Sequence, residues 1–311
     1  MSTKIAFVFP GQGSQALGMS VSLAESYDLV KNLYAEASDA LGLDLWALCQ
    51  DGPIEELSKT ENTQPALLTA GVAAYRCWQE AGGATPSLMA GHSLGEYTAL
   101  TCAGAIDFSA AVTLVRDRGR YMQSAVPAGK GGMAAILGLD EDTVRSVCEG
   151  ASTPEEIVQA VNFNAPGQVV IAGSTIGVER AIEALKAAGA KRAMALPVSI
   201  PAHSALMTPA AEALKNRLES VSIELPQVPV IHNCNLSIAK SAEELRANLV
   251  TQLNSPVRWV ETIKQMAAGG INHYIESGPG KVLSGMIKRI ASGAETTALE
   301  SAEHINNLAS Q

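Results

Sequence analysis

Aromatic side chains are scarce in this sequence, at 4% of 311 residues, so any interior must be built largely from Ala, Val, Leu and Ile. Small aliphatic residues suit close packing of helices on a sheet. Nowhere does an apolar run reach the roughly 18 residues that a membrane-spanning helix needs. The opening segment, MSTKIAFVFPGQG, has a short apolar stretch but no small-residue cleavage pattern. It therefore reads as a first strand and not as a signal peptide, and a cytoplasmic protein is the expectation. Cysteine is too sparse and scattered for a disulfide framework or a zinc site. Cys49, Cys77, Cys102, Cys148 and Cys234 are odd in number and show no Cys-x-x-Cys spacing. No metal is expected. Positive charge is short too: 22 Lys and Arg stand against 31 Asp and Glu, a net charge of −9 that excludes a bulk role in binding nucleic acid.

What the chain has in quantity is glycine, at 27 residues, and hydrophobic side chains, at 47%. Strand-like runs alternate with helical ones. KIAFVFP at 4–10 reads as a strand ending in a Gly-rich turn; helical patterns cover about 20–41 and 64–81; SLMAGH at 87–92 is a short buried strand turning into a helix near Leu94. That succession predicts an α/β fold, a mainly parallel sheet flanked by helices. The middle of the chain changes character. Strands at 132–139, 158–163, 168–172 and 191–198 and helices at 141–149 and 176–188 give the order β-α-β-β-α-β. This is the ferredoxin-like pattern, read as a small domain over 128–199 inserted into a large domain of 1–127 and 200–311. The tail after about Ser292 is weakly patterned.

GHSLG at 91–95 fits G-x-S-x-G, a serine held in a strained strand-to-helix turn. Positions two before and two after must be small, and the helix start aims the Leu94 N–H and the helix dipole at the reacting centre. A serine nucleophile needs a base, and the sequence offers His92, His203, His232, His273 and His304. His92 adjoins the serine, where neighbouring side chains diverge. His232 and His273 sit in or beside apolar strands, as core histidines do, and His304 lies in the tail. His203, in the loop SIPAHSALM, has a position where catalytic groups collect, but the pattern alone does not single it out. GQGSQALG at 11–18 also matches a variant of the dinucleotide fingerprint. That rival needs a second strand with an acidic end, whereas YDLVKNLYAEASDAL reads as helix. The loop retains a second use, a backbone N–H for an oxyanion hole.

Eight segments in order (FVFPGQGSQ, TQPAL, GHSLGEY, RGRYMQ, NFNAPGQVVIAG, PAHSALM, QLNSPVRW and ESGPGKVL) resemble the malonyl-CoA:acyl carrier protein transacylases of bacterial fatty acid synthesis. The resemblance runs from about Ile5 to Arg289 and implies a hydrolase-like α/β domain carrying a ferredoxin-like insertion. Carried over by position, it implies Ser93 as nucleophile, His203 as base, and the N–H groups of Gln12 and Leu94 as oxyanion hole. Arg118 becomes the partner of the malonyl carboxylate, and the Gln252 carbonyl the group orienting the histidine. Gln64, His92 and Asn162 line the pocket; Asn164 is read as a turn former beside Pro166 and Gly167. Ala202 replaces the serine that related proteins carry before the histidine.

The resemblance further implies ping-pong transfer, with malonyl-CoA as donor, the phosphopantetheine thiol of acyl carrier protein as acceptor and no bound cofactor; a monomer is the plain expectation. An acidic carrier facing an acidic chain requires a local basic patch, expected at Lys191 and Arg192 and at Lys281, Lys288 and Arg289. A serine hydrolase or thioesterase on the same elbow, an acyltransferase of polyketide synthesis, and a non-enzymatic scaffold are the alternatives. The stand-alone length favours fatty acid synthesis.

Overall fold

The computed structural model describes residues 4–310. β1 (Ile5–Phe9) is apolar along its whole length and pairs in parallel with both β2 (Leu88–Gly91) and β8 (His273–Glu276). With β7 (Val230–Ile231) beyond β2 and β9 (Glu295–Ala298) beyond β8, the sheet is five-stranded in the order β7-β2-β1-β8-β9. Because alternate residues of a strand face opposite sides, β1 serves two layers. Phe7 and Phe9 pack against the helix Thr60–Glu80, where Tyr75 meets Phe7 edge-on at 5.1 Å. Ala6 and Val8 face Trp259, Ile263 and Met266 of the helix Trp259–Ala268. Continuous burial on both faces explains why β1 shows no polar alternation.

Between the helix Phe108–Ser124 and His203 the chain builds a second sheet from β3 (Gly131–Leu137), β4 (Val158–Ala165), β5 (Gln168–Ser174) and β6 (Arg192–Ala195). It is four-stranded and antiparallel, in the order β4-β5-β3-β6, the arrangement that the β-α-β-β-α-β reading requires. Helices Glu141–Ala151 and Thr175–Ala187 cover one face through Val144, Cys148, Val178 and Leu185. The other face, with Met133, Val161 and Val170, turns toward Ala202 and Leu196. β4 is stitched to the body: the Phe163 N–H donates to the Val257 carbonyl at 3.0 Å, and the Val257 N–H to the Val161 carbonyl at 2.8 Å.

Several expectations shift. The helix expected over 20–41 divides into Val21–Ala24 and Asp28–Leu41, because Tyr27 is extended (φ −131°) and Asp28 opens a new first turn. β6 is shorter than 191–198. Asn164 belongs to β4, whose turn to β5 is Pro166-Gly167 alone. The tail is ordered as β9 and the helix Ala302–Ala309. Its strand, ETTA, lacks apolar alternation because it is an edge strand held by backbone pairing to β8.

Candidate active site

Ser93 caps the helix Leu94–Cys102 with φ 52° and ψ −107°, a conformation that L-residues avoid. Local sequence makes it attainable. A Cβ on Gly91 would collide with the Gly95 carbonyl, and a Cβ on Gly95 with the Phe9 carbonyl oxygen, so the glycines let the turn close on β1. Asn233, just after β7, clamps the same turn: its Oδ1 accepts the Ser93 N–H at 2.7 Å and its Nδ2 donates to the Gly91 carbonyl at 2.7 Å. Ser93 opens into a cleft of about 570 Å³ between the two sheets, lined also by Gln12, Leu94 and Arg118. Among the described residues, the N–H groups of Gln12 and Leu94 donate to no protein acceptor.

His203 is the histidine that reaches the serine. Its Nε2 lies 2.7 Å from Ser93 Oγ and its Nδ1 2.8 Å from the Gln252 carbonyl. A carbonyl only accepts, so Nδ1 carries the proton and Nε2 presents a lone pair to the hydroxyl. The ring is buried, and that burial, reinforced by the Arg118 cation, pushes its pKa down to about 3. His203 itself has φ 65°, a second left-handed residue at the same site.

Arg118 comes from the helix Phe108–Ser124 and is 1% exposed. Its Nη1 donates to Gln64 Oε1 at 2.8 Å; its Nη2 donates to Gln252 Oε1 at 2.9 Å and to Ser93 Oγ at 3.2 Å. The guanidinium carbon stands 5.2 Å from the centre of the Tyr97 ring, and Nε has no partner among the described residues. Burial lowers the Arg118 pKa, yet an arginine remains charged. A fixed cation thus touches the same oxygen as the imidazole.

The remaining expected residues fall into two groups. Gln64, His92, Asn162 and Gln252 gather around the serine, and all but Gln252 line the cleft. His92 Nε2 bonds Asn164 Oδ1 at 2.8 Å, so Asn164 is a buried strand residue positioning that ring and not the turn former expected from its Pro-Gly neighbours. Asn162 Oδ1 is buried without a partner among the described residues, beside a bulge in β4. The cations lie away from the cleft. Lys281 pairs with Glu300 at 2.6 Å, and Arg289 donates to Gln168 Oε1 at 2.6 Å and the Pro166 carbonyl at 2.7 Å, tying the helix Val282–Ile290 to the β4–β5 turn. Lys191 packs by Gly138, whose Cα lies against Gly167 of that turn. Sequence reasoning missed Glu96, Asn233 and Tyr97; the first and last lie in GHSLGEY, but nothing in the pattern marks them as buried.

Among the described residues no helix is long and apolar enough to cross a membrane, and no cluster of His, Cys, Asp and Glu is set to hold a metal. The chain is 56% identical over 297 residues to the malonyl CoA-acyl carrier protein transacylase of Escherichia coli K12, covering 96% of each. It superposes on the structure of the malonyl CoA-acyl carrier protein transacylase from Coxiella burnetii with a TM-score of 0.98 and 49% identity, covering 99% of this chain and 97% of that one. A type II PKS acyl-carrier protein in complex with its malonyl-transacylase gives 0.97 at 52% identity, covering 99% of each chain. The acyl transferase domain matches residues 6–304. With that match across nearly its whole length, the chain belongs to the acyl transferase domain family.

Proposed function

We propose that this enzyme moves a malonyl group from malonyl-CoA to the phosphopantetheine thiol of an acyl carrier protein through an ester on Ser93, in fatty acid synthesis. The observation that carries the reading is one oxygen with two partners: Ser93 Oγ meets His203 Nε2 at 2.7 Å and Arg118 Nη2 at 3.2 Å. The imidazole makes the hydroxyl a nucleophile, and the guanidinium gives the acyl group's far carboxylate a place to bind.

In the first half-reaction His203 Nε2 takes the Ser93 proton as Oγ attacks the thioester carbon. The oxyanion rests on the Gln12 and Leu94 N–H groups. Collapse breaks the C–S bond, and His203 returns the proton to the departing coenzyme A sulfur. In the second half the carrier thiol gives its proton to His203 and attacks the ester; the C–O bond breaks and Ser93 regains its proton. The walls of the cleft are the body (1–127 and 200–311) and the inserted unit (128–199). The likeness to a malonyl-transacylase solved with its type II PKS acyl-carrier protein supports a carrier as acceptor; a cytoplasmic setting and a monomeric enzyme complete the proposal. The carrier docks on the basic residues Lys191, Arg192, Lys281, Lys288 and Arg289.

Intact mass after mixing with malonyl-CoA tests the reading. A malonyl adduct forms on the wild type, is absent from Ser93→Ala, and disappears when holo carrier is added. Steady release of malonate with no adduct and no carrier product points to a hydrolase and overturns it.

A further inference from the structure

Behind Ser93 lies a carboxylate that the two half-reactions leave unused. Glu96, in the helix Leu94–Cys102, is 0% exposed. Its Oε1 faces His232 Nδ1 at 2.7 Å, and its Oε2 accepts the Asn233 backbone N–H at 2.9 Å and Gln252 Nε2 at 2.9 Å. The Asn233 N–H and Gln252 Nε2 only donate, and with His232 Nδ1 as a third nitrogen partner both carboxyl oxygens are engaged. The Gln252 amide has one possible orientation, because its other end faces the Arg118 guanidinium, which only donates. A single amide therefore spans a buried guanidinium and a buried carboxyl group, while the main-chain carbonyl of the same residue holds the His203 ring.

A second buried carboxylate shows what a purely structural one looks like. Glu276 accepts the Leu283 and Ser284 N–H groups and the Ser284 hydroxyl, capping the helix Val282–Ile290. Glu96 caps nothing: its partners are His232 and Asn233 from the segment that follows β7 and Gln252 from the helix Ala242–Leu253, all converging on the elbow.

We propose that Glu96 is the counter-charge of the active site, a positioning residue that acts through Gln252 to offset Arg118 and, in the transition state, the protonated His203. The proposal rests on the acyl-transfer reading and makes a demand that reading does not. Buried like charges oppose one another, and Arg118 already weighs against a protonated His203. Without Glu96, acetyl transfer places an imidazolium beside an uncompensated guanidinium. In malonyl transfer the substrate's own carboxylate sits on Arg118 and takes over part of the role. Loss of the Glu96 charge should therefore hurt acetyl transfer more than malonyl transfer.

Glu96→Gln keeps the shape and lets the amide oxygen still accept from Asn233 and Gln252. Single-turnover acylation of Ser93 by malonyl-CoA and by acetyl-CoA, read by intact mass on one preparation, gives a ratio from which any misfolded fraction cancels. The ratio of malonyl to acetyl rates should rise about tenfold in the variant, the order expected for charges one amide apart at intermediate dielectric. Equal slowing of both donors, or an unmoved ratio, overturns the proposal and leaves Glu96 a scaffold group. If Glu96→Gln gives no folded protein, His232→Leu removes the Oε1 partner and should raise the same ratio by a smaller factor; an unmoved ratio there is equally fatal. A wild type that takes up neither acyl group defeats the acyl-transfer reading instead.

Discussion

The two walls of the cleft are built in opposite ways. On the body side, Ser93, His203 and Arg118 each have more than one polar partner, and Ser93 and His203 are held at positive φ, 52° and 65°. On the side of the second sheet, the lining is mostly Met133, Val170 and Leu196, with Asn164 bonded to His92 and the Asn162 oxygen unpartnered among the described residues. One wall is fixed by hydrogen bonds before any substrate arrives, so its dipoles need little rearrangement during reaction. The other supplies shape and a spare acceptor. The difference teaches that one wall carries the reacting groups together with the arginine that reads the acyl carboxylate, and that changes on the second wall can retune binding without touching the reacting atoms.

The largest expected effect strikes the fixed wall. His203→Ala should lower the rate of Ser93 acylation by about four orders of magnitude or more, as for other serine-base pairs, with little change in KM. The same residue sets a pH test. With its pKa held at about 3 by burial and by Arg118, His203 stays an unprotonated base in the free enzyme, so kcat/KM for acetyl-CoA should be flat from pH 8 to 5. A limb centred near the ordinary histidine value would show that the imidazole is solvated and the wall less fixed than described. Stability follows the same shift with a definite sign. Between about 6.5 and 3 the unfolded chain binds a proton that the native His203 refuses, so native stability falls as pH drops through that window.

Arg118→Ala is next in size and cuts between the donors. Malonyl transfer should drop by about 10²–10³, the loss of a desolvated charge-assisted pair, while acetyl transfer, which presents no carboxylate, is spared or rises. Parallel kinetics with the two thioesters check this. Equal loss on both would mean that the guanidinium holds Gln64 and Gln252 in place and does not read the acyl group.

How much of this was legible in the sequence differs between the walls in the same way. The elbow could be read because its constraint is steric and local: only glycine fits at 91 and 95 when the turn closes on β1. The β-α-β-β-α-β order of the second sheet was legible for a similar reason, since each element carries its own periodicity. Burial of Arg118, and the choice of His203 over four other histidines, were not. Both depend on elements more than a hundred residues from Ser93 or on partners such as Gln252 that no local pattern marks. Asn164 was misread because Pro166 and Gly167 signal a turn whose extent the sequence does not set. The family resemblance supplied Arg118, His203 and Gln252, and the structure sets the first two on Ser93 Oγ and the Gln252 carbonyl on the His203 ring.

The smallest expected effect tests the second wall and bears most directly on the division of labour. Asn162 Oδ1 is buried and unpaired, and a buried acceptor left unsatisfied costs about 1–3 kcal/mol. Asn162→Ala removes it, so the free enzyme should gain about 1 kcal/mol in chemical denaturation. If the oxygen accepts an N–H from the amide-rich pantetheine arm, the same variant should raise KM for malonyl-CoA and for the carrier by about three- to tenfold, the worth of one neutral hydrogen bond, with kcat held. Stability up and affinity down in one substitution would mark Asn162 as a group kept for binding at the expense of folding. A fall in kcat with KM unchanged would break the comparison, because it would carry the second sheet into the chemical step.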